Sequence, residues 1–162
     1  DLANNYGNLC QRVTAFAEKN CSLKIPENKI FNQDDLIMLN KFTEGLPIIR
    51  KEIDKQNINF YINFIVNSLF ETNKYFNDQE PWKKKDDRDR LNTIVYTSLE
   101  MIRKISFMLY PIIPETVEKV LKIFDLDSKN INLESIADHN TLKSGNNLNK
   151  IGILFAKIEK ND

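Results

Sequence analysis

Residues 87–110 read DRDRLNTIVYTSLEMIRKISFMLY, and this stretch decides the fold class. Its large apolar side chains recur at intervals of three and four residues, which is the period of one buried face of an α-helix. Pro111 and Pro114 follow at once, and proline ends a helix because it has no backbone N–H to donate. We therefore expect a long helix whose core face consists of Leu91, Ile94, Val95, Leu99, Ile102, Ile105 and Leu109.

Four further segments carry a helical apolar period on either side of this stretch. They cover residues 1–20, about 32–55, about 59–77 and 114 to about 124. In the second segment Gly45 and Pro47 interrupt the pattern, but the apolar residues from Leu36 to Ile53 stay in register, so a kinked helix is expected rather than a loop. Asn and Asp residues at 32–35 can cap its start. The sequence thus predicts an all-α fold, a bundle of five amphipathic helices with a short C-terminal tail.

The length of 162 residues suits a single domain. We expect residues 1–127 to form the helical bundle and residues 128–162 to form the tail. The tail is polar and rich in asparagine before Ile151, and it then carries a small apolar island of Ile153, Leu154, Phe155 and Ile158. Because the chain opens at Asp1 within a helical pattern, we interpret it as a fragment of a longer protein.

Charge and cysteine content narrow the class of partner. Lys and Arg together number 23, as do Asp and Glu, so the net charge is zero and no overall field attracts DNA or anionic lipid. Any binding of RNA must come from a local patch. Cys10 and Cys21 form no C-x-x-C motif, which is typical of a reduced, cytoplasmic protein. No apolar run is long enough to span a bilayer, so we expect neither DNA nor a membrane as a partner.

The sequence contains no recognisable catalytic or metal site. His139 is the only histidine and lies in a weakly patterned polar stretch, so a surface position is expected. One histidine and two scattered cysteines argue against a transition-metal site. The glycine-rich loops that bind phosphates are absent. The acidic residues are assigned to solvated helix faces, and the charged run at 83–90 to a solvated loop and helix start.

A polar ridge and a lone tryptophan are the remaining functional signal. Asn4, Asn8 and Arg12 are spaced four apart on the first predicted helix, so they share one face. Carboxamides offer a donor and an acceptor side by side, as a base edge requires, and arginine offers a planar fork. Trp82, after Pro81 in a predicted loop, could stack on an unpaired base. From residue types alone, an ordinary exposed helix face and a tryptophan that fills the core are the favoured interpretation.

Four segments carry motifs of one family: DLANNYGNLCQR at 1–12, YFNDQEPW at 75–82, YPIIP at 110–114 and ILFAKIE at 153–159. They resemble, in order, the motifs lanx-x-gNl-x-x-R, Y-[IF]-x-x-x-x-P-W, l-x-P-[IF]-[IM]-P and p-L-F-P-R-I-e of the anticodon-binding domain of methionyl-tRNA synthetases. Ala156 and Lys157 replace the Pro and Arg of the last motif. The resemblance covers almost the whole chain, and the pair Pro81–Trp82 makes it fairly specific.

The resemblance implies a role in reading the CAU anticodon of methionine tRNA. Carried over by motif position, Asn8 and Arg12 would bond anticodon bases or their backbone, and Asn4 would extend the same ridge. Trp82 would stack on the first anticodon base, and Pro81 would shape its loop. In the family, the full-length enzyme uses ATP, with Mg, to activate methionine and attach it to the tRNA.

The same resemblance bears on the rest of the protein. The ATP and methionine sites of the family belong to a catalytic domain that precedes this one, so the fragment is expected to hold no cofactor and to be inactive alone. That N-terminal catalytic domain is an expected partner, and the tail at 128–162 is expected to pack toward it. We add Lys83, Lys84 and Lys85 as candidate phosphate contacts.

Two other functions compete with this interpretation. Other class I synthetases, such as the cysteine or leucine enzyme, share the N-x-x-x-R and P-h-h-P themes, although Pro81–Trp82 favours the methionine enzyme. A helical protein-interaction module would bury Trp82 and place the Asn4 ridge against protein. An independent enzyme lacks any supporting set of residues.

Overall fold

The computed structural model describes residues 2–150 and residue 152. The expected all-α class is confirmed, and a sixth, short helix is added within the segment expected to be tail. Within the described residues, three 3₁₀ turns connect the helices, at Pro81–Lys83, Lys122–Phe124 and Ser128–Asn130. The helices are α1 (Leu2–Asn20), α2 (Gln33–Asp54), α3 (Ile58–Gln79), α4 (Arg88–Leu109), α5 (Pro114–Leu121) and α6 (Leu133–Ala137).

The central helix α4 packs against each of the other five helices. Residues 93–109 are all buried, so the helix is enclosed on every side and not on one face alone. Its expected apolar face is in the core, but so are Glu100, Arg103 and Lys104. The assignment of all acidic residues to solvated faces is therefore wrong for Glu100, and also for Asp35 on α2, which is fully buried.

The buried charges of α4 bond to one another and to the segment around α6, although Arg103 Nη1 has no hydrogen-bond partner among the described residues. Arg103 Nε donates to Glu100 Oε2 at 2.7 Å, and the other carboxylate oxygen accepts from the backbone N–H of Leu142 at 2.7 Å. Arg103 Nη2 donates to the carbonyl of Ser135 at 2.6 Å. Because a buried charge without partners is costly, these bonds fix the segment 135–142 on the bundle.

His139 belongs to the same polar network, so it is half-buried and hydrogen-bonded and not the free surface side chain that was expected. Its Nδ1 lies 3.1 Å from Lys104 Nζ, and its Nε2 lies 2.7 Å from the side-chain oxygen of Asn40. Burial, and then the charge of Lys104, lowers the pKa of His139. Burial also lowers the pKa of Lys104 to about 8. The histidine thus bridges α4 and α2 in a site that disfavours additional positive charge.

The second helix is continuous through Gly45 and Pro47, as the register of its apolar residues predicted. Its start is fixed by a reciprocal cap in which Asn32 accepts from the N–H of Asp35 at 3.0 Å and Asp35 accepts from the N–H of Asn32 at 2.9 Å. Leu36 and Ile53, expected in the core stripe, are instead about two-fifths exposed near the helix ends.

The described part of the tail packs on the bundle. Leu142 and Leu148 are buried in the core, and an isolated antiparallel bridge joins Lys24 to Asn147. The apolar island at 153–158 lies outside the described residues, and the division at residue 127 remains an expectation. Among residues 2–150, no helix has the length and apolar character that crossing a membrane requires.

Candidate nucleic-acid interface

Helices α1 and α3 lie side by side and enclose a shallow groove of about 480 Å³, which we call the α1–α3 groove. Helix α1 contributes amides and a guanidinium, whereas α3 contributes an aromatic ring and an amide. The combination offers hydrogen-bond donors and acceptors beside an apolar face, as an unstacked base requires. The lining residues are Asn5, Asn8, Gln11, Arg12, Phe70 and Asn73.

Arg12 is held at one end of the groove by the facing helix. Its Nη2 donates to the side-chain oxygen of Asn77 at 2.6 Å, and its Nη1 makes a longer contact of 3.5 Å with that of Asn73. The guanidinium carbon also lies 5.3 Å from the centre of the Phe76 ring. A guanidinium has five N–H donors, so these contacts fix its plane without using all of them.

Phe76 is the buried support shared by Arg12 and Trp82. Trp82 packs against it with ring centres 6.1 Å apart and planes inclined by 65°. Phe16 of α1 meets it edge-on at 5.7 Å. Arg12 and Trp82, which are 70 positions apart in the chain, therefore rest on one ring. Such inclined pairs are a favoured geometry of aromatic side chains.

A sharp turn after α3 brings the tryptophan back onto this ring. Glu80 adopts a left-handed conformation with φ of 46°, which ends the helix. Pro81 then opens a 3₁₀ turn and is buried. Trp82 remains 40% exposed, so it is neither a solvated side chain nor a core tryptophan. One part of the indole is anchored, and the rest is open to a ligand.

Helix α4, which follows this turn, is tied to α2 by a buried ion pair and to the end of α3 by a hydrogen bond. Arg90 at the start of α4 donates to both carboxylate oxygens of Asp35, at 2.7 and 2.9 Å, and to the side-chain oxygen of Gln79 at 2.7 Å. The hydroxyl of Tyr75 also donates to Asp35. Burial and the neighbouring Asp35 raise the pKa of Tyr75. The charged run had suggested that Arg90 is solvated, and the structure shows that its side chain is largely buried instead. Its bonds to Asp35 and Gln79 fix the position of the turn that carries Trp82.

The three lysines after Trp82 differ in their surroundings. Lys83 is exposed and pairs with Glu80 at 2.7 Å. Lys84 is half-buried, whereas Lys85 is exposed. Since an exposed ion pair contributes only about 0–1 kcal/mol, Lys83 can exchange its carboxylate for a phosphate at little cost.

The structure brings together most of the residues that the sequence analysis selected. Asn8 and Arg12 line the α1–α3 groove, and Trp82, which follows the buried Pro81, packs against the Phe76 ring on which Arg12 also rests. Asn4 is exposed on α1, but its neighbour Asn5 takes the position in the groove wall.

Sequence reasoning missed the contributions of α3. Phe70, Asn73 and Asn77 face the ridge of α1, and Gln11 joins that ridge. Asn73 and Asn77 are four apart, which is the same signal that had identified Asn8 and Arg12. That signal alone could not show that the ridge of α1 and the ridge of α3 meet.

Among residues 2–150 and 152, no group of three or more His, Cys, Asp or Glu side chains is arranged to hold a metal ion.

Residues 25–162 match the family described as the anticodon binding domain of methionyl tRNA ligase. A methionine–tRNA ligase of Brucella suis is 37% identical over 124 residues, which cover 76% of this chain and 24% of that protein. A methionine–tRNA ligase of Thermotoga maritima is 31% identical over 164 residues, which cover 100% of this chain and 26% of that protein.

Solved structures show the same fold. The methionyl-tRNA synthetase of Mycobacterium tuberculosis in complex with methionyl-adenylate matches with a TM-score of 0.86 and 27% identity, over 96% of this chain and 31% of that one. Its free state matches with a TM-score of 0.82 over 92% of this chain. The chain thus spans about a quarter to a third of the length of these relatives.

Proposed function

Because the chain belongs to the family of the anticodon-binding domain of methionyl-tRNA ligases, we propose that it reads the CAU anticodon of methionine tRNA. The observation that carries this proposal is the pairing of Arg12 and Trp82 on the single ring of Phe76, beside a groove lined by amides. Single-stranded RNA loops are read by such stacking surfaces and by hydrogen bonds to exposed base edges.

Each side chain has a distinct task in this proposal. The first anticodon base stacks on the open part of Trp82, which Pro81 and Phe76 hold in place. Arg12 donates to a base edge or to the backbone next to it, and its plane is set by Asn73 and Asn77. These contacts recognise bases that have left their stack, so they need no duplex groove.

The amides of α1 complete the reading of the base edges. Asn8 lines the groove one helical turn before Arg12, so a base between them can receive and donate hydrogen bonds at once. Asn4 extends the exposed ridge by a further turn. Lys83, Lys84 and Lys85 contact phosphates of the stem and set the position of the loop.

A zero net charge is compatible with this role. Nonspecific binding of nucleic acid draws most of its affinity from phosphate contacts over a broad positive surface. Here the three lysines beside Trp82 are flanked by Glu80 and Asp86, so general attraction is weak. Specificity then rests on a few bases, and a salt dependence weaker than that of a basic RNA-binding domain is expected.

The whole protein is proposed to be a methionine–tRNA ligase that works in the cytoplasm. A catalytic domain outside this chain uses ATP and Mg to attach methionine to the tRNA, and the C-terminal tail at 128–162 packs toward it. This chain supplies anticodon recognition and no catalytic residue, so it alone does not aminoacylate.

The proposal is tested by titrating the chain with a methionine-tRNA anticodon stem-loop while Trp82 fluorescence is followed. Trp82 is the one tryptophan of the chain, so the signal is specific for its position. Saturable quenching by the CAU loop is expected, together with much weaker binding by loops with one changed anticodon base. Binding of a labelled loop should also be lost in Trp82→Ala and retained in Lys19→Met, an exposed cation elsewhere on α1.

The other possible results are also informative. Equal binding of every loop would contradict anticodon reading. Preference for the anticodon of cysteine or leucine tRNA would assign the chain to another class I synthetase. If the chain bound no stem-loop, the interpretation as a protein-interaction module would be favoured instead.

A further inference from the structure

We propose that Phe70 is a second stacking platform for an unpaired anticodon base, in addition to Trp82. This inference rests on the proposed function and extends it to a residue outside the recognised motifs. It assigns the far end of the α1–α3 groove to a base that does not stack on the base at Trp82.

Phe70 is exposed to an extent that packing does not explain. Its side chain is 68% exposed, whereas Phe76 on the same helix is 2% exposed. An isolated exposed apolar side chain is common and by itself means little. Phe70, however, lies in the wall of the groove that also holds Asn8 and Arg12. An exposed ring that faces amides and a guanidinium is equipped to take a planar polar ligand.

The opposite wall supplies the complementary hydrogen bonds. Asn5, Asn8 and Gln11 of α1 line the groove across from the ring, and Asn73 stands one turn after Phe70 on α3. Each carboxamide can both donate and accept, so the wall can match any base edge. A base that lies on Phe70 would therefore be held by its face from α3 and by its edge from α1.

The spacing along α3 separates this platform from the first. Phe76, which supports Trp82, follows Phe70 by six residues, or about 9 Å at 1.5 Å per residue. Bases stacked on each other are only about 3.4 Å apart. We therefore infer that a base on Phe70 and a base on Trp82, whose ring lies 6.1 Å from that of Phe76, are splayed apart. With the first anticodon base on Trp82, the base at Phe70 is the second or the third.

The exposed surface around Phe70 favours a base over a protein partner. Asn63 and Asn67 precede it on exposed positions of α3, and Val66, one turn before, is only about one-third exposed. Protein interfaces are centred on contiguous apolar area. A ring flanked by amides, with one partly exposed valine beside it, is instead closer to the composition of a base-binding surface.

The test compares Phe70→Leu with Phe70→Tyr in binding labelled anticodon stem-loops. Leucine keeps an apolar side chain without a π-face, and tyrosine keeps the ring. Because stacking contributes about 1–3 kcal/mol per base, Phe70→Leu should weaken binding of the CAU loop roughly tenfold, while Phe70→Tyr should bind within about twofold of the wild type. Val66→Ala, on the same helix but outside the lining of the groove, is the matched control and should bind like the wild type.

Loops that lack one base identify the stacked nucleotide. Three stem-loops, each with one abasic anticodon position, are bound to the wild type and to Phe70→Leu. The roughly tenfold difference in affinity between the wild type and Phe70→Leu should persist on the loop that lacks the first base. It should vanish on either the loop that lacks the second base or the loop that lacks the third. A difference of the same size on all three loops would show an indirect effect and overturn the proposal.

The outcomes separate this inference from the function on which it rests. If the wild type binds the CAU loop and Trp82→Ala does not, anticodon reading stands; equal binding by Phe70→Leu and the wild type would then refute the second platform alone. If the wild type binds no loop, both proposals fall. Circular dichroism of Phe70→Leu should match the wild type, since the exposed ring has little part in the core.

Discussion

In the proposed function, Arg12 combines positioning and recognition in one side chain. Its guanidinium bonds Asn77, contacts Asn73 and stacks near Phe76, so its plane is set before any ligand arrives. Ordering a long side chain on binding carries an entropic cost, which this arrangement reduces. The bonds join neutral amides to a charged donor at an exposed place, so a ligand can replace one of them.

Substituting Arg12 with lysine should separate the charge of the side chain from its shape. Lysine keeps the positive charge but cannot donate in one plane to two amides or to two acceptors of a base. Since a well-placed bidentate contact to a base contributes about 1–3 kcal/mol, binding of the CAU loop should weaken roughly tenfold or more. Isothermal titration with the stem-loop measures this change.

Lys19→Met provides the control for the loss of affinity in Arg12→Lys. Lys19 is also exposed on α1, so its removal changes the charge without touching the α1–α3 groove. Its affinity should stay within about twofold of the wild type at moderate salt. If Arg12→Lys binds as tightly as the wild type, the planar geometry of the guanidinium has no part in recognition.

The candidate site could be predicted from the sequence only in part, for a reason visible in these residues. Asn8, Arg12 and Trp82 belong to motifs whose residue types and spacing are readable along one helix or one loop. Phe70 and Asn77 enter the site because α3 lies against α1, and no periodicity within a single segment predicts which faces of two helices meet.

At the scale of helix pairs, α2 and α3 approach each other closely at Gly45. Gly45 is buried there, and a Cβ placed on it would lie 2.5 Å from two ring atoms of Phe64. Phe64 is itself held by an edge-on contact with Phe42 at 5.5 Å and by Lys41, whose Nζ lies 5.7 Å from its centre. The glycine is therefore required for the packing of its helix, although glycine weakens a helix.

Gly45→Ala should lower the free energy of unfolding by about 1 kcal/mol. Alanine is the better helix former by about 1 kcal/mol, but overpacking a fitted contact costs about 1–3 kcal/mol, so the steric cost prevails. Urea denaturation monitored by circular dichroism gives the change. In a Phe64→Ala background the same substitution should instead raise stability, because the obstructing ring is gone. Destabilisation of equal size in both backgrounds would contradict the steric account.

The helices themselves were largely predictable, because their apolar periods and caps are local. The reciprocal cap at Asn32 and Asp35 follows from residue types known to cap helices. The burial of Asp35 and Glu100 did not follow from the sequence. Each of these carboxylates is matched by an arginine, Arg90 or Arg103, whose position depends on the assembled bundle.

Across the whole fold, the polar network around His139 attaches the segment after α5 to the bundle. Lys104 donates to the carbonyl of Ile136 at 2.6 Å, and His139 lies between Lys104 and Asn40. Three parts of the chain that are far apart in sequence therefore meet at one imidazole. The charged groups that act on the ring are Lys104, Arg103 and Asp138, of which only the last favours its protonation.

The direction in which stability changes with pH follows from the lowered pKa of His139 in the folded state. The unfolded chain takes up a proton at the ordinary histidine pKa of about 6.5, where the folded imidazole is still neutral. Between that pH and the lower folded pKa the unfolded state binds more protons, so the free energy of unfolding falls as the pH falls. Above a pH of about 6.5 the contribution of the neutral His139 to the free energy of unfolding is fully present.

His139→Gln should therefore remove part of the loss of stability between pH 7 and pH 5. His139 is the one histidine of the chain, and burial moves the pKa of Lys104 only to about 8, above this window. Asp138, whose pKa is lowered, stays ionised through it. Urea unfolding of both proteins at several pH values gives the slope of the unfolding free energy against pH for each.

The difference in unfolding free energy between wild type and variant should shrink toward pH 5. Only the wild type has an imidazole, held between Lys104 and Asn40, that must stay unprotonated in the folded state. Parallel slopes would mean that the network accepts a charged histidine without cost, which the proximity of Lys104 Nζ at 3.1 Å argues against.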